Sequence, residues 1–144
     1  MLVLIVIGLG ISTYSFAHNQ AFVSGAICTL NDTFNCDVVN RGPYSQLFGV
    51  PVALIGIIGY GLMALGTILH LRAPHDRSLT AFLLVSALGG LGFSFYLTGI
   101  EAFVLQTWCL LCLTSQAAIL GIFGSAVWLW ILGGKREPFI HPTN

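Results

Sequence analysis

Four runs of apolar residues, set apart by polar joints, dominate the pattern of this chain. They cover residues 1–17, 48–71, 79–105 and 109–132. Ionisable groups intrude only near their ends, as His70 in the second run and Glu101 in the third. A helix rises 1.5 Å per residue, so crossing a hydrocarbon core of about 30 Å takes about 20 residues. The last three runs, at 24, 27 and 24 residues, are long enough to cross with some tilt. The first, at 17, is at the short limit. The pattern predicts an all-α integral membrane protein, a four-transmembrane-helix bundle forming a single domain over residues 1–144. Its joints are unequal: a long loop at 18–47, a short turn at 72–78, a tight connection at 106–108 and a polar tail at 133–144.

Composition agrees and narrows the function classes. The chain is 56% apolar and 7% charged, with five Lys/Arg against five Asp/Glu. A soluble domain carries about a quarter charged residues, so much of this surface must face lipid. High hydrophobicity excludes disorder. Zero net charge and the lack of a basic run argue against nucleic acid. Ser15-Phe16-Ala17 resembles a signal-peptide cleavage site, but no positive charge leads the first run, so a retained helix is expected. Under alternating topology, Arg72, Arg77, Lys135 and Arg136 share one side and only Arg41 lies on the other. The positive-inside rule puts the short turn and the tail in the cytoplasm. The long loop between helices 1 and 2 is then extracytoplasmic. Small residues at Ala117, Gly121 and Ser125, and at Gly49 and Ala53, suit close helix packing. Pro51 fits the first turn of its helix.

The same topology puts all four cysteines on the extracytoplasmic face, where disulfides persist. Cys28 and Cys36 lie in the long loop, and Cys109 and Cys112 open the fourth run in Trp108-Cys109-Leu110-Leu111-Cys112. A cysteine at a helix N-terminus is a stabilised thiolate, and C-x-x-C pairs there exchange disulfides readily. An inert staple is the plainer reading of such a pair. The loop pair would enclose nine residues and contribute about 2.6 kcal/mol by loop entropy, which also suits a staple. Yet the twelve residues from Cys36 to Phe48 stretch roughly 40 Å, enough to bring Cys36 to the fourth helix and join two dithiols in a relay. No metal site is expected, because C-x7-C with C-x-x-C is poor zinc spacing and the four histidines are scattered. His18, His70, His75 and His141 read as polar boundary residues. Asn31-Asp32-Thr33 matches a glycosylation acceptor, which matters only in a eukaryotic secretory setting. Glu101, so near a span's end, is equally a solvated carboxylate or a proton-handling one.

Cys28-x7-Cys36-Asp37, Pro43-Tyr44-Ser45-Gln46-Leu47-Phe48-Gly49-Val50-Pro51, Tyr96-Leu97 and Trp108-Cys109-x-x-Cys112 together resemble the vitamin K epoxide reductase family, in its prokaryotic form. The disulfide-bond-formation protein B family has its C-x-x-C before its loop pair and fits less well. The resemblance implies a four-helix bundle around a quinone of ubiquinone, menaquinone or vitamin K type. It implies Cys109 and Cys112 as the active pair with Cys112 nearer the ring, Cys36 as the cysteine exchanging with Cys109, and Cys28 as the one facing the external thiol. Many relatives carry a fused thioredoxin-like domain after the fourth helix. Here twelve residues follow it, so the expected partner is a separate thioredoxin-like (DsbA-like) protein. Animal enzymes have a tyrosine four residues after the second C-x-x-C cysteine, where Gln116 stands, and a serine where an ungapped count reaches Gly42. Both departures favour quinone over epoxide as substrate. Ser45, Phe48, Trp108 and Gln116 are the candidate quinone contacts.

The expected activity is a thiol:quinone oxidoreductase in a prokaryotic cell (inner) membrane, making disulfides in its partner. Its rivals are thiol-driven reduction of vitamin K epoxide or quinone, and a non-enzymatic tetraspan scaffold stapled by its cysteines. The orientation has a direct check. A membrane-impermeant thiol reagent added outside reduced, intact cells should label Cys28 or Cys36. Labelling only after permeabilisation would invert the topology.

Overall fold

The computed structural model describes residues 1–23, 31, 33–74 and 76–134. Cys28, Asp32, His75, Lys135, Arg136 and His141 lie outside the described residues, so the expectations that fall on them have no structural counterpart. Four long helices are present: α1 (Leu2–Asn19), α3 (Val52–Arg72), α4 (Arg77–Ile100) and α5 (Leu110–Gly134). A π-helical turn, Glu101–Leu105, extends α4. All four are long and apolar enough to cross a membrane, yet only 22–28% of the most apolar window of each is buried within the bundle. Val3, Val6, Val85 and Trp128 are among the large side chains pointing outward, where lipid suits them and water does not.

Between α1 and α3 the described chain is folded rather than an open loop. A short helix, α2 (Cys36–Arg41), is followed by a 3-10 turn at Pro43–Ser45 and a small antiparallel hairpin, β1 (Gln46–Leu47) with β2 (Val50–Pro51). Its two-residue turn places both Phe48 (φ 52°) and Gly49 (φ 83°) in the left-handed region, as a type I′ hairpin requires. Glycine takes that conformation freely. Phe48 takes it with its side chain fully exposed.

This hairpin corrects the expected start of the second span. The chain is still turning at Phe48 and Gly49, and Pro51 stands just before the helix as its N-cap, so α3 begins at Val52. Gly49 is therefore a turn residue and not part of a helix-packing row. The third span begins earlier than expected, at Arg77, because Asp76 caps it by accepting the Ser78 N–H at 2.9 Å.

Each long helix packs on its sequence neighbours, and α5 returns to α1, so the four close a ring. One half of the ring is solid. Ile5, Tyr60, Met63, Leu83, Ala87, Ile119 and Ile122 form a buried cluster there. Close approach of α1 to α3 depends on Gly8, where a Cβ would run into the Tyr60 ring. The other half of the ring, toward the C-terminal ends of α1 and α4, stays open around a cavity.

Gly8→Val should therefore cost about 1–3 kcal/mol by overpacking, read as a lowered thermal unfolding midpoint in detergent. Gly10 is exposed on the same helix with nothing near its Cβ position, and Gly10→Ala should not lower the midpoint.

Candidate active site

Two stretches of backbone bring the candidate cysteines together. Asn31 Oδ1 accepts the N–H groups of Thr33 and Phe34 at 3.1 and 2.9 Å and turns the chain toward the fourth helix. Residues 33–35 then run parallel to Trp108. The Trp108 N–H donates to the Thr33 carbonyl at 2.8 Å, and the Asn35 N–H donates to the Trp108 carbonyl at 3.2 Å. Asn35 caps α2 with its side chain, accepting from Asp37 N–H at 3.0 Å and Val38 N–H at 3.4 Å. Cys36 is thus the first residue of one helix, and Cys109 immediately precedes another.

The two sulfurs meet. The Cys109 thiol donates to Cys36 Sγ at 3.3 Å, against about 2.05 Å for a disulfide bond. Both side chains are buried, at 1% exposure for Cys36 and 0% for Cys109. Cys36 is disulfide-bonded, while Cys109 and Cys112 are free thiols.

Cys109 occupies the N-cap position of α5. Its carbonyl accepts the Leu113 N–H at 3.0 Å, and its sulfur accepts the Cys112 N–H at 3.4 Å. The hydrogen bond from the Cys112 side chain, with the N–H groups of Cys112 and Leu111 behind it, holds the Cys109 thiol below its usual range. Burial and the nearby Glu101 carboxyl oppose this and lose. The thiolate expected of a C-x-x-C cysteine at a helix start has its physical cause here.

Both ends of α2 are tied to α1. His18, buried at 1% exposure, places Nε2 2.9 Å from Asp37 Oδ1, directly after Cys36 in the chain. Arg41 Nε donates to the His18 carbonyl at 3.2 Å and lies 3.7 Å from the same Asp37 oxygen. The Asn19 amide donates to the Asn40 carbonyl and reaches Ser45 Oγ at 3.4 Å.

Beneath this lid lies a cavity of about 380 Å³. Cys112, Glu101, Ser115 and Thr98 line its cysteine end, and Leu62, Met63 and Ile119 its apolar depth. Tyr60, also in the wall, bonds through its hydroxyl to the Ser115 carbonyl at 3.0 Å and Ser115 Oγ at 2.9 Å. A mostly apolar cleft of this size with a few convergent polar groups suits a small apolar ring bearing polar oxygens.

The sequence profile of the Vitamin K epoxide reductase family matches residues 1–127. The chain belongs to that family. Among curated proteins none matches it. Members of the vitamin K epoxide reductase family are membrane oxidoreductases that use quinones, and this member is an integral membrane protein. The lining would suit a quinone by its chemistry, with Thr98 and Ser115 able to hydrogen-bond a ring oxygen and apolar side chains to cover the ring.

The expected site residues of this family member divide. Cys36, Cys109 and Cys112 come together, and Ser45 lines the cavity. Phe48, Trp108 and Gln116 do not line it. Phe48 is fully exposed at the hairpin tip. Trp108 contributes its backbone to the pairing with Phe34. Gln116 Oε1 accepts the Thr98 hydroxyl at 2.7 Å and so ties α5 to α4. The clamp at His18 and Asp37 was missed: His18 is buried and paired with Asp37 at the end of α1. One signal was present: Ser12, Ser15 and His18 recur every three residues on a largely apolar helix, and all three are buried.

With its thiol held low, Cys109 forms thiolate at lower pH than an ordinary cysteine. In reduced protein, iodoacetamide labelling of Cys109, followed by peptide mapping against pH, should reach half-maximum below the ordinary thiol value. Cys112→Ala removes the main cause and should move that midpoint up. A wild-type midpoint at the ordinary value would contradict the geometry.

Proposed function

We propose that this protein is a thiol oxidase that carries electrons from an extracytoplasmic thioredoxin-like protein to a membrane quinone through two cysteine pairs, Cys28 with Cys36 and Cys109 with Cys112. The observation that carries this reading is the 3.3 Å approach of Cys109 Sγ to Cys36 Sγ beside the cavity. A staple would give no reason for a free thiol pair at a helix start, pressed against a bonded sulfur and opening onto an apolar cleft.

In this reading the partner's dithiol reduces the loop pair and leaves with a disulfide. Cys36 thiolate attacks Cys109 of the Cys109–Cys112 disulfide, and Cys112 departs as thiolate. Cys28 then attacks Cys36, which frees Cys109. The result is a bonded Cys36 and two thiols at Cys109 and Cys112, the combination found at these positions. A bound quinone supplies a two-electron acceptor. The chain's own residues hold the thiols at the mouth of its cavity and exclude water: Cys109 is wholly buried, and Cys112 lines the cleft. Clamping α2 through Asp37 and Arg41 keeps Cys36 in register with Cys109.

Purified protein given a reduced thioredoxin-like partner and ubiquinone or menaquinone should oxidise the partner and reduce the quinone together. Absence of both reactions would leave the scaffold reading. Turnover of vitamin K epoxide but no quinone would favour the reductase alternative. The relay is tested separately with Cys112→Ser, which removes the resolving thiol. A Cys36–Cys109 disulfide should accumulate and appear as joined fragments in peptide mapping. If Cys36 is never found joined to Cys109, under oxidising or partner-reduced conditions, the relay is wrong.

A further inference from the structure

We propose that Glu101 is the proton carrier of the thiol-to-quinone step, taking the proton that leaves Cys112 and passing it into the cavity. This rests on the reading that the cavity takes a quinone. Glu101 is 2% exposed, although it lies in a segment apolar enough to cross a membrane. Its Oε2 accepts the Cys109 N–H at 3.1 Å. Its Oε1 is buried with no hydrogen-bond partner among the described residues. No ion pair between described residues includes it. A buried carboxyl that meets no cation among the described residues is costly to keep, and such groups inside membranes mark proton paths.

Its surroundings give the idle oxygen a task. The carboxyl lies beside the Cys112 thiol, and Glu101 lines the same cavity as Cys112. Glu101 opens the π-helical turn that ends α4, and the Thr107 N–H donates to its carbonyl at 3.2 Å. The turn and the bond to Cys109 hold the side chain at the cleft that Cys112 also lines. Oxidation of the pair forms one S–S bond and releases two electrons and two protons. The quinone takes both electrons and both protons to become hydroquinone. Glu101 moves one proton, from Cys112 Sγ to a ring oxygen; the other is the one Cys109 gives up. Without a carrier, Cys112 would become a second anion beside an already stabilised Cys109 thiolate.

Glu101→Gln separates carrying from positioning, because its amide oxygen still accepts the Cys109 N–H. In membranes or detergent with the reduced partner and ubiquinone, this variant should lose about 100- to 10,000-fold in kcat, the range for a lost general acid–base, with KM for quinone unchanged. Glu101→Asp should recover part of the loss. In quinone-free protein, infrared difference spectra between the dithiol and chemically oxidised states should show a carboxyl signal that Glu101→Gln abolishes. In the Cys112→Ser background, Glu101→Gln should still trap the Cys36–Cys109 disulfide. Wild-type kcat in Glu101→Gln, or an infrared difference without a Glu101 signal, overturns the proposal. Loss of the trapped disulfide also overturns it, by making Glu101 a positioning residue for Cys109. If wild-type protein reduces no quinone, the functional reading fails instead, and the infrared measurement still decides whether Glu101 exchanges a proton with the thiols.

Discussion

Disulfide exchange needs two sulfurs at contact distance, and in this protein main-chain hydrogen bonds supply that approach. The segment before α2 runs alongside Trp108 through two main-chain hydrogen bonds, and a helix begins directly after each of the two bonded segments. Cys36 and Cys109 follow Asn35 and Trp108 directly, so their register is inherited from the backbone and not from long side chains. Main-chain groups withdrawn from water must pair somewhere, and these two hydrogen bonds pair them. The clamp of His18, Asp37 and Arg41 then stops α2 from pivoting about it. Without these two attachments the cavity would have no lid and Cys109 would lose Cys36 as its neighbour.

The bundle divides its labour along its axis. Large aliphatic side chains fill one half, where Gly8 lets α1 lie against the Tyr60 ring. In the other half, Ser12, Ser15 and Gly59 stand where bulkier groups would fill the space, and the cavity opens among them. Tyr60 stands at the junction, with its ring in the core and its hydroxyl on Ser115. Rigidity at one end thus supports an opening at the other.

Lipid imposes length and apolarity, which is why four helices were legible from the apolar runs alone. The order of the cysteine pairs was equally legible and pointed to the family that the profile match establishes. Helix edges were harder, for local reasons. Phe48 and Gly49 extend an apolar run in composition while their backbone turns a hairpin. His18 stands at the end of its run like a boundary residue, and its partner Asp37 becomes a neighbour only through the tertiary fold. Gln116 and Trp108 were plausible ring contacts by type. Their orientations follow from a hydroxyl on α4 and from a backbone bridge, neither of which leaves a period in the sequence.

The N-cap formed by Cys109 links the electronic state of the protein to the mechanics of a helix. The sulfur that accepts the Cys112 N–H is the atom that changes bonding in each exchange. A side-chain cap contributes about 0.5–2 kcal/mol to a helix end, and a negatively charged acceptor interacts most favourably with the helix dipole. The first turn of α5 is therefore held most firmly when Cys109 is a thiolate and loosens when that sulfur is consumed in a bond. Linkage makes the coupling reciprocal: whatever frays this turn also disfavours the thiolate.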